Sequence, residues 1–139
     1  MFIKETKIRV RYGETDQMGY VYYGNYPLYY EVGRVEALRD IGIVYKDMER
    51  EYNVMMPVMS MEVKYLRPAK YDDLLTIRTS LKEMPVRDII FHFEIFNEES
   101  KLLNAGHVKL CFVDITTNQR VDLPLELGKK LHPYFEREN

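Results

Sequence analysis

The chain of 139 residues lacks several features that would point to particular classes of protein. Its 20 lysines and arginines are balanced by 22 aspartates and glutamates, so there is no general basic field to attract nucleic acid. No apolar run approaches the roughly 18 residues of a transmembrane helix, and we predict no membrane partner. Cys111 is the only cysteine, which excludes an intrachain disulfide. Met1, Phe2 and Ile3 are followed at once by charged residues, so we expect no signal peptide and a cytoplasmic protein.

Residue patterns typical of several catalytic chemistries are absent as well. The three histidines, His92, His107 and His132, are scattered and lack metal-ligand spacing. No glycine-rich phosphate loop and no serine-centred nucleophile elbow occurs. We therefore predict that the chain binds neither a metal nor a cofactor.

The composition that is present, 46% hydrophobic and 30% charged, is that of an ordinary globular protein. The length suits one domain spanning residues 1–139. Residues 3–12 alternate apolar and polar side chains, which predicts a strand with one solvent-facing surface. A helix is predicted over about residues 25–41, because Asn25 suits an N-cap, Pro27 is tolerated in a first turn, and apolar residues recur at helical spacing.

The second half of the chain is predicted to be mostly strands. A shorter helix over 45–52 precedes them, and a terminal helical turn over Leu125–Leu131 follows them. Four alternating runs lie between, over residues 59–65, 75–81, 89–95 and about 102–114. Their short connections imply antiparallel neighbours. One helix cannot cover both faces of such a sheet, so the simplest α+β arrangement wraps a curved, antiparallel, five-stranded sheet around the long central helix.

The most informative stretch lies where the first strand should end and the helix should begin. It opens with Asp16 and continues through an aromatic-rich loop that is kinked at Gly19. The first N–H groups of a helix have no intrahelical partners and carry the positive end of the helix dipole. They can hold a developing oxyanion while a carboxylate attacks or activates water. This stretch is therefore the best candidate for the hydrolysis of an acyl group.

The same stretch carries a family pattern: an aspartate, a glycine, two tyrosines, an Asn-Tyr pair, and then a glutamate and an arginine on the helix. Its members are Asp16, Gly19, Tyr22, Tyr23, Asn25, Tyr26, Glu31 and Arg34. The pattern resembles acyl-CoA thioesterases of the hotdog fold, of the 4-hydroxybenzoyl-CoA thioesterase type. Residues 57–60 and 71–77 also resemble that family, and the likeness covers roughly residues 5–115. The hotdog fold it implies agrees with the α+β arrangement.

The resemblance implies catalytic roles for three residues. In this family the aspartate at the position of Asp16 acts as nucleophile or general base on the thioester. The alternative is a turn-forming or capping aspartate, but no histidine, serine or cysteine in residues 16–26 competes for the role. Backbone N–H groups at Tyr23 and Gly24 are implied to polarise the thioester carbonyl. Short-chain members often have histidine where this chain has Tyr23, so the chain resembles the aromatic-acyl branch.

Six residues are candidates for binding the acyl group through their place in the motif or on a predicted strand: Gly19, Asn25, Tyr26, Glu31, Met59 and Ser60. Glu31 has a second interpretation, a helical i, i+3 pair with Arg34.

A methionine-rich segment adds to this set, at Met55, Met56, Met59 and Met61. It is expected to be a core strand, or else a deformable wall of an acyl pocket. Because side chains alternate along a strand, Met59, Met61 and Val63 should share one face. Side chains from Tyr20, Tyr22, Tyr23 and Tyr26 are expected to reach the same cavity.

The phosphates of coenzyme A require lysine or arginine. The family places basic residues near the junction of the third and fourth strands, where this chain has Lys82 and Arg87. Lys64 and Arg67 are nearby in sequence. The alternative is that these charges belong to a solvated face.

We therefore predict an acyl-CoA thioesterase that releases a carboxylic acid and a free thiol, with an aromatic or medium-chain acyl group favoured. An acyl carrier protein thioester remains open as the substrate. One alternative is a hotdog hydratase or dehydratase, which needs a catalytic histidine that residues 12–35 lack. Another is a non-catalytic module that binds acyl thioesters or a carrier protein. Since family members place their sites between subunits, a homodimer or homotetramer is implied.

Overall fold

Five long strands and one long helix make up most of the computed structural model, which describes residues 1–136. The elements in chain order are β1 (Phe2–Arg9), α1 (Tyr26–Asp40), α2 (Tyr45–Glu51), β2 (Val54–Met55), β3 (Val58–Tyr65), β4 (Leu74–Leu81), β5 (Asp88–Phe96), β6 (Leu102–Asp114), β7 (Arg120–Val121) and α3 (Leu125–Leu131). Three short 3₁₀ turns lie at Tyr12–Glu14, Tyr23–Asn25 and His132–Tyr134. The predicted α+β arrangement of a long helix and five long antiparallel strands is confirmed. The sheet has seven strands because β2 and β7 add two short ones. The last three residues of the predicted domain, 137–139, lie outside the described residues.

The sheet is antiparallel throughout and runs in the order β1, β4, β5, β6, with β3 on the far side of β6. β1 ends at Arg9, opposite the first residue of β4, Leu74. The last residue of β3, Tyr65, pairs with Asn104 near the start of β6. We call this end of the sheet the upper end. The lower end is the opposite one, where β1 begins at Phe2.

The helix α1 packs mainly on β1, β4 and β5. Tyr29, Tyr30 and Leu38 of the helix are fully buried, and the ring of Tyr30 stacks on that of Phe93 with centroids 4.4 Å apart. Burial of large aromatic side chains of this kind is a main source of core stability. The helix therefore covers one face of the sheet from β1 to β5 and leaves β3 largely uncovered.

The expectation that Met59 and Met61 pack in the core is wrong. Both are exposed, with 46% and 39% of their surface accessible, and nearly all of β3 is exposed with them. Within residues 1–136 β3 pairs only with β6, and α1 packs mainly on β1, β4 and β5, so the helix-side face of β3 around Met59 and Met61 is left exposed. A bulge between Val58 and Ser60 also interrupts the predicted alternation at Met59. Of the methionine-rich segment, Met56 is buried.

Gly33 marks a close approach between α1 and the sheet. A Cβ at this position would lie 2.7 Å from Thr79 Oγ1 and 2.9 Å from Ile77 Cγ2. Both neighbours are buried and β-branched, on a strand that is paired on both sides, so they have little room to move.

We expect Gly33→Ala to lower the free energy of unfolding by about 1–2 kcal/mol. Overpacking costs roughly 1–3 kcal/mol, and the better helix propensity of alanine offsets up to about 1 kcal/mol. Denaturant titration measures the difference. Gly13→Ala is the matched control, because a Cβ there meets nothing within 4 Å. Equal stability of Gly33→Ala and the parent chain would contradict this description of the helix–sheet contact.

Candidate active site

The segment between β1 and α1 crosses the upper end of the sheet and is fastened to the segment before β4. The N–H of Val21 donates to the carbonyl oxygen of Ala69 over 2.8 Å, and Tyr20 forms an antiparallel bridge with Lys70. Gly19 has a φ of +78°, a conformation that favours glycine, and it reverses the chain between the two arms of the loop. The predicted kink at this glycine is confirmed.

Glu14 holds the two halves of this segment together. Its carbonyl oxygen accepts hydrogen bonds from the N–H of Tyr22 (2.9 Å) and from Nδ2 of Asn25 (2.8 Å). Its carboxylate accepts from the N–H of Arg11 (2.8 Å) and from the hydroxyl of Tyr29 (3.1 Å). Asn25 is at the predicted N-cap position of α1, but its backbone is already helical and its side chain makes no cap hydrogen bond. The 3₁₀ turn that precedes α1 leads directly into the helix, and the Asn25 amide ties that turn to the loop instead.

Asp16 is half-buried and shapes the loop around its own carboxylate. Its Oδ1 accepts the N–H of Met18 (2.9 Å) and the N–H of Tyr20 (3.2 Å), and its carbonyl oxygen accepts the N–H of Gly19 (3.0 Å). Within residues 1–136 no hydrogen bond engages Oδ2. The carboxylate therefore forms the turn through one oxygen while the other oxygen is available for chemistry.

A groove of about 370 Å³ opens beside Asp16. One wall comes from the loop and the start of α1, and the other comes from the end of β3 and the residues that follow it. The residues that line it are Asp16, Met18, Tyr20, Val21, Tyr23, Tyr26, Tyr65, Leu66, Arg67 and Pro68. A carboxylate and an arginine thus share a cavity whose walls are mostly aromatic and aliphatic.

The predicted oxyanion donors lie in the 3₁₀ turn at the edge of this groove. Tyr23 and Gly24 are the first two residues of the turn, so their N–H groups have no partner within it. Among the described residues no hydrogen bond engages either group. The carbonyl oxygen of Tyr23 accepts a hydrogen bond from the hydroxyl of Tyr65 (3.2 Å). The Tyr23 ring is exposed and packs against Tyr22, with centroids 4.5 Å apart.

Three of the four tyrosines expected at the cavity line it: Tyr20, Tyr23 and Tyr26. Tyr22 does not. Tyr26 is buried, and its ring meets that of Tyr65 edge to face at 5.5 Å. Burial raises the pKa of Tyr26, so its phenol is neutral at physiological pH.

Other predicted acyl-binding residues lie outside the groove. Glu31 is exposed on α1, and no ion pair within 4.0 Å joins it to Arg34 among the described residues, so the expected helical pair does not form. Burial lowers the pKa of Arg34, and the charge of Glu31 opposes this only in part. Met59 and Ser60 lie five to six residues before Tyr65 on β3, roughly 17–20 Å from the groove.

The four predicted phosphate-binding residues are not brought together within one chain. Arg67 lines the groove. Lys64 is on the sheet face turned away from α1 and pairs with Glu62 at 3.6 Å. Lys82 and Arg87 lie at the lower end of the sheet, about 25 Å away along β4. Lys82 and Arg87 follow the end of β4, whereas Arg67 precedes its start, so the length of this strand separates them in space.

Sequence reasoning missed two residues that organise the site, Glu14 and Tyr65. Glu14 gave no signal because its contacts with Tyr22, Asn25 and Tyr29 join residues 8–15 positions apart and follow no motif. Tyr65 ends an alternating strand, and only the sheet order shows that this strand end faces the loop after β1.

No helix within residues 1–136 is long and apolar enough to cross a lipid bilayer. In the same range there is no group of three or more histidine, cysteine, aspartate or glutamate side chains arranged to hold a metal ion.

The family described as Thioesterase-like superfamily matches residues 10–131. The acyl-CoA thioester hydrolase YbgC of Escherichia coli O157:H7 is 36% identical over 107 residues, which cover 77% of this chain and 79% of that protein.

Solved structures show the same fold. A DHNA-CoA thioesterase from Staphylococcus aureus superimposes with a TM-score of 0.88 at 28% identity, over 100% of this chain and 97% of that one. A 4-hydroxybenzoyl-CoA thioesterase in complex with 4-hydroxybenzoyl-CoA superimposes with a TM-score of 0.84 over 94% of this chain and 99% of that one. At 17% identity, the second match shows the fold alone. The predicted hotdog fold is confirmed.

Proposed function

Because the chain belongs to the thioesterase-like superfamily, we propose that it hydrolyses acyl-CoA thioesters in the groove beside Asp16. The observation that carries this proposal is the meeting of two groups in one cavity. Asp16, with its free carboxylate oxygen, and Tyr23 line the same groove, and the unpartnered N–H groups of Tyr23 and Gly24 lie in the 3₁₀ turn that Tyr23 begins. A carboxylate beside preorganised N–H donors is the arrangement that acyl transfer to water requires.

The reaction adds water across the thioester. Asp16 either attacks the carbonyl carbon through Oδ2 or removes a proton from a water molecule that attacks it. The carbonyl oxygen then carries negative charge, which the N–H groups of Tyr23 and Gly24 stabilise. One such donor is worth roughly 3–4 kcal/mol. Collapse of the intermediate breaks the C–S bond, and the thiolate of coenzyme A leaves and takes up a proton. If Asp16 is the nucleophile, water hydrolyses the resulting mixed anhydride in a second step.

The proposed acyl group is aromatic or of medium length. Tyr20, Tyr26, Tyr65 and Leu66 offer apolar surface on both walls of the groove. Arg67 at the rim is the proposed contact for a phosphate of coenzyme A, because its guanidinium suits phosphate geometry. The proposed contribution of Gly19 is the positive φ that reverses the loop. That of Asn25 is the hydrogen bond from its side chain to the carbonyl oxygen of Glu14, which ties the 3₁₀ turn to the loop.

An uncovered strand edge suggests how the site is completed. No strand of residues 1–136 pairs with the outer side of β3, and an exposed apolar edge is a ready template for pairing. We propose that two copies of the chain pair antiparallel along β3. The lower end of each sheet then lies beside the upper end of the other, so Lys82 and Arg87 approach the groove of the second copy. A tetramer would be a pair of such dimers.

We expect light scattering to show a homo-oligomer at micromolar concentration. Met61→Lys should shift the chain toward monomer, because it places a charge on the uncovered face of β3, where a like charge from the second copy would repel it. Ile3→Lys is the matched control, since Ile3 is 49% exposed and lies on β1, at the edge of the sheet opposite β3. A parent chain that stays monomeric over a range of concentrations would contradict the proposal.

The two alternative functions are tested by one experiment. The purified chain is incubated with a panel of acyl-CoAs, and the release of free thiol is followed together with the acid product. A hydrolase releases both in equal amounts. A hydratase or dehydratase would alter the acyl chain without releasing thiol, and no histidine lines the groove to support it. A non-catalytic module would bind acyl-CoA and release nothing.

We propose that residues 1–139 act as one domain. The proposed compartment is the cytoplasm, where the single, buried Cys111 would remain a thiol.

A further inference from the structure

The hydroxyl of Tyr65 joins two parts of the molecule that the sequence separates by 42 residues. It donates a hydrogen bond to the carbonyl oxygen of Tyr23 over 3.2 Å. Tyr65 is the last residue of β3, and Tyr23 begins the 3₁₀ turn before α1. Both side chains line the same groove. This hydrogen bond is therefore made directly behind the proposed oxyanion donors.

The peptide group that accepts this hydrogen bond is also one of the donors. The carbonyl of Tyr23 and the N–H of Gly24 belong to one planar unit and point in opposite directions. Fixing the oxygen therefore fixes the direction of the N–H. A hydrogen bond to the carbonyl also polarises the unit and strengthens the N–H as a donor.

Tyr65 is held in place to perform this task. Its backbone is paired with Asn104 on β6, and its ring packs edge to face on the buried ring of Tyr26. The hydroxyl of Tyr26 in turn lies 3.5 Å from the N–H of Ala69, so this second tyrosine is anchored as well. The sheet thus supplies a rigid support for a donor that sits on a loop.

We propose that Tyr65 is a positioning residue for thioester hydrolysis, which orients and polarises the Gly24 N–H through the Tyr23 carbonyl. The inference rests on the proposed function, since the donor has a role only if a carbonyl oxygen binds there. In this proposal the hydroxyl of Tyr65 helps to stabilise the transition state and does not contribute to binding the acyl chain.

The test is Tyr65→Phe, which removes the hydroxyl and keeps the ring. We expect kcat to fall about tenfold, the value of one hydrogen bond of roughly 1.4 kcal/mol, with little change in KM. The loss should be the same for every acyl group that the parent chain cleaves. Tyr71→Phe is the matched control, because Tyr71 is an exposed tyrosine at the same end of the sheet that does not line the groove. Thermal melting should show both variants folded.

Binding of two analogues that cannot be hydrolysed gives a readout that does not depend on turnover. A thioether analogue of the acyl-CoA has no carbonyl, and Tyr65→Phe should bind it as the parent does. A difluoroketone analogue, with CF₂ in place of sulfur, adds water or the Asp16 carboxylate at its carbonyl to form a tetrahedral adduct that resembles the transition state, and the variant should bind it several-fold more weakly.

Two results would overturn the inference. Unchanged kcat in Tyr65→Phe would show that the Gly24 N–H needs no such support. A loss that varies with the acyl group, with weaker binding of the thioether, would make Tyr65 a wall of the acyl pocket. If the parent chain itself released no thiol, the proposed function would fail first, so the two failures are distinguishable.

Discussion

Replacing Asp16 by asparagine is expected to lower turnover by roughly a hundredfold or more and to leave the fold intact. The amide oxygen of asparagine can still accept the N–H groups of Met18 and Tyr20, so the loop should keep its shape. The group facing the groove, however, becomes an uncharged amide that neither attacks a thioester nor removes a proton from water. The substitution therefore separates the structural role of this side chain from its chemical one.

Steady-state thiol release and denaturant titration, measured on the same samples, test this expectation. Asp72→Asn is the matched control, because it also removes one negative charge at the upper end of the sheet but does not line the groove. Asp16→Ala should in addition destabilise the chain, since it deletes both loop hydrogen bonds. If Asp16→Asn kept near-normal turnover, Asp16 would be a turn-forming residue only.

The second large effect concerns the acyl group. We expect kcat/KM to rise by on the order of tenfold to a hundredfold from acetyl-CoA to hexanoyl- or benzoyl-CoA. Each buried CH₂ contributes roughly 0.8 kcal/mol, and the open groove should realise part of the approximately 3 kcal/mol that four such groups offer. The part realised in the transition state appears in the specificity constant.

A variant pair ties this preference to the groove. Leu66→Ala should flatten the dependence on chain length, because Leu66 lines the cavity. Leu125→Ala should leave it unchanged, because Leu125 is exposed on α3 and lies elsewhere. A flat profile in the parent chain, or a preference for acetyl-CoA, would show that the aromatic walls are only packing.

Much of the fold is accessible from the sequence because alternation and helical spacing are local signals. They place α1 and the five long strands within a few residues of their observed bounds. They do not reveal the order of strands in the sheet, and this explains the error at Met59 and Met61. An alternating strand at an uncovered edge and one in the core have the same pattern, and only the reach of α1 decides between them.

In the candidate site, too, the sequence predicts local features but not which distant residues come together. Asp16, Tyr23 and Gly24 lie close together in sequence, so a motif can identify them. Lys82 and Arg87 were predicted from the family resemblance, and Arg67 was added because it is nearby in sequence, but a strand of eight residues separates the two ends of the sheet. Tyr65 was missed for the opposite reason, because a contact across 42 residues leaves no local pattern.

The two oxygens of the Asp16 carboxylate, equivalent in free solution, are no longer so in this loop. Oδ1 accepts two backbone N–H groups, and rotation of the carboxylate by half a turn would break both hydrogen bonds and re-form them on the other atom. The torsional freedom of the reacting group is therefore already restricted before any thioester arrives. The entropic cost of orienting the carboxylate is therefore met when the loop folds and not when the substrate reacts. The same backbone N–H groups that close the turn also determine which carboxylate oxygen faces the substrate.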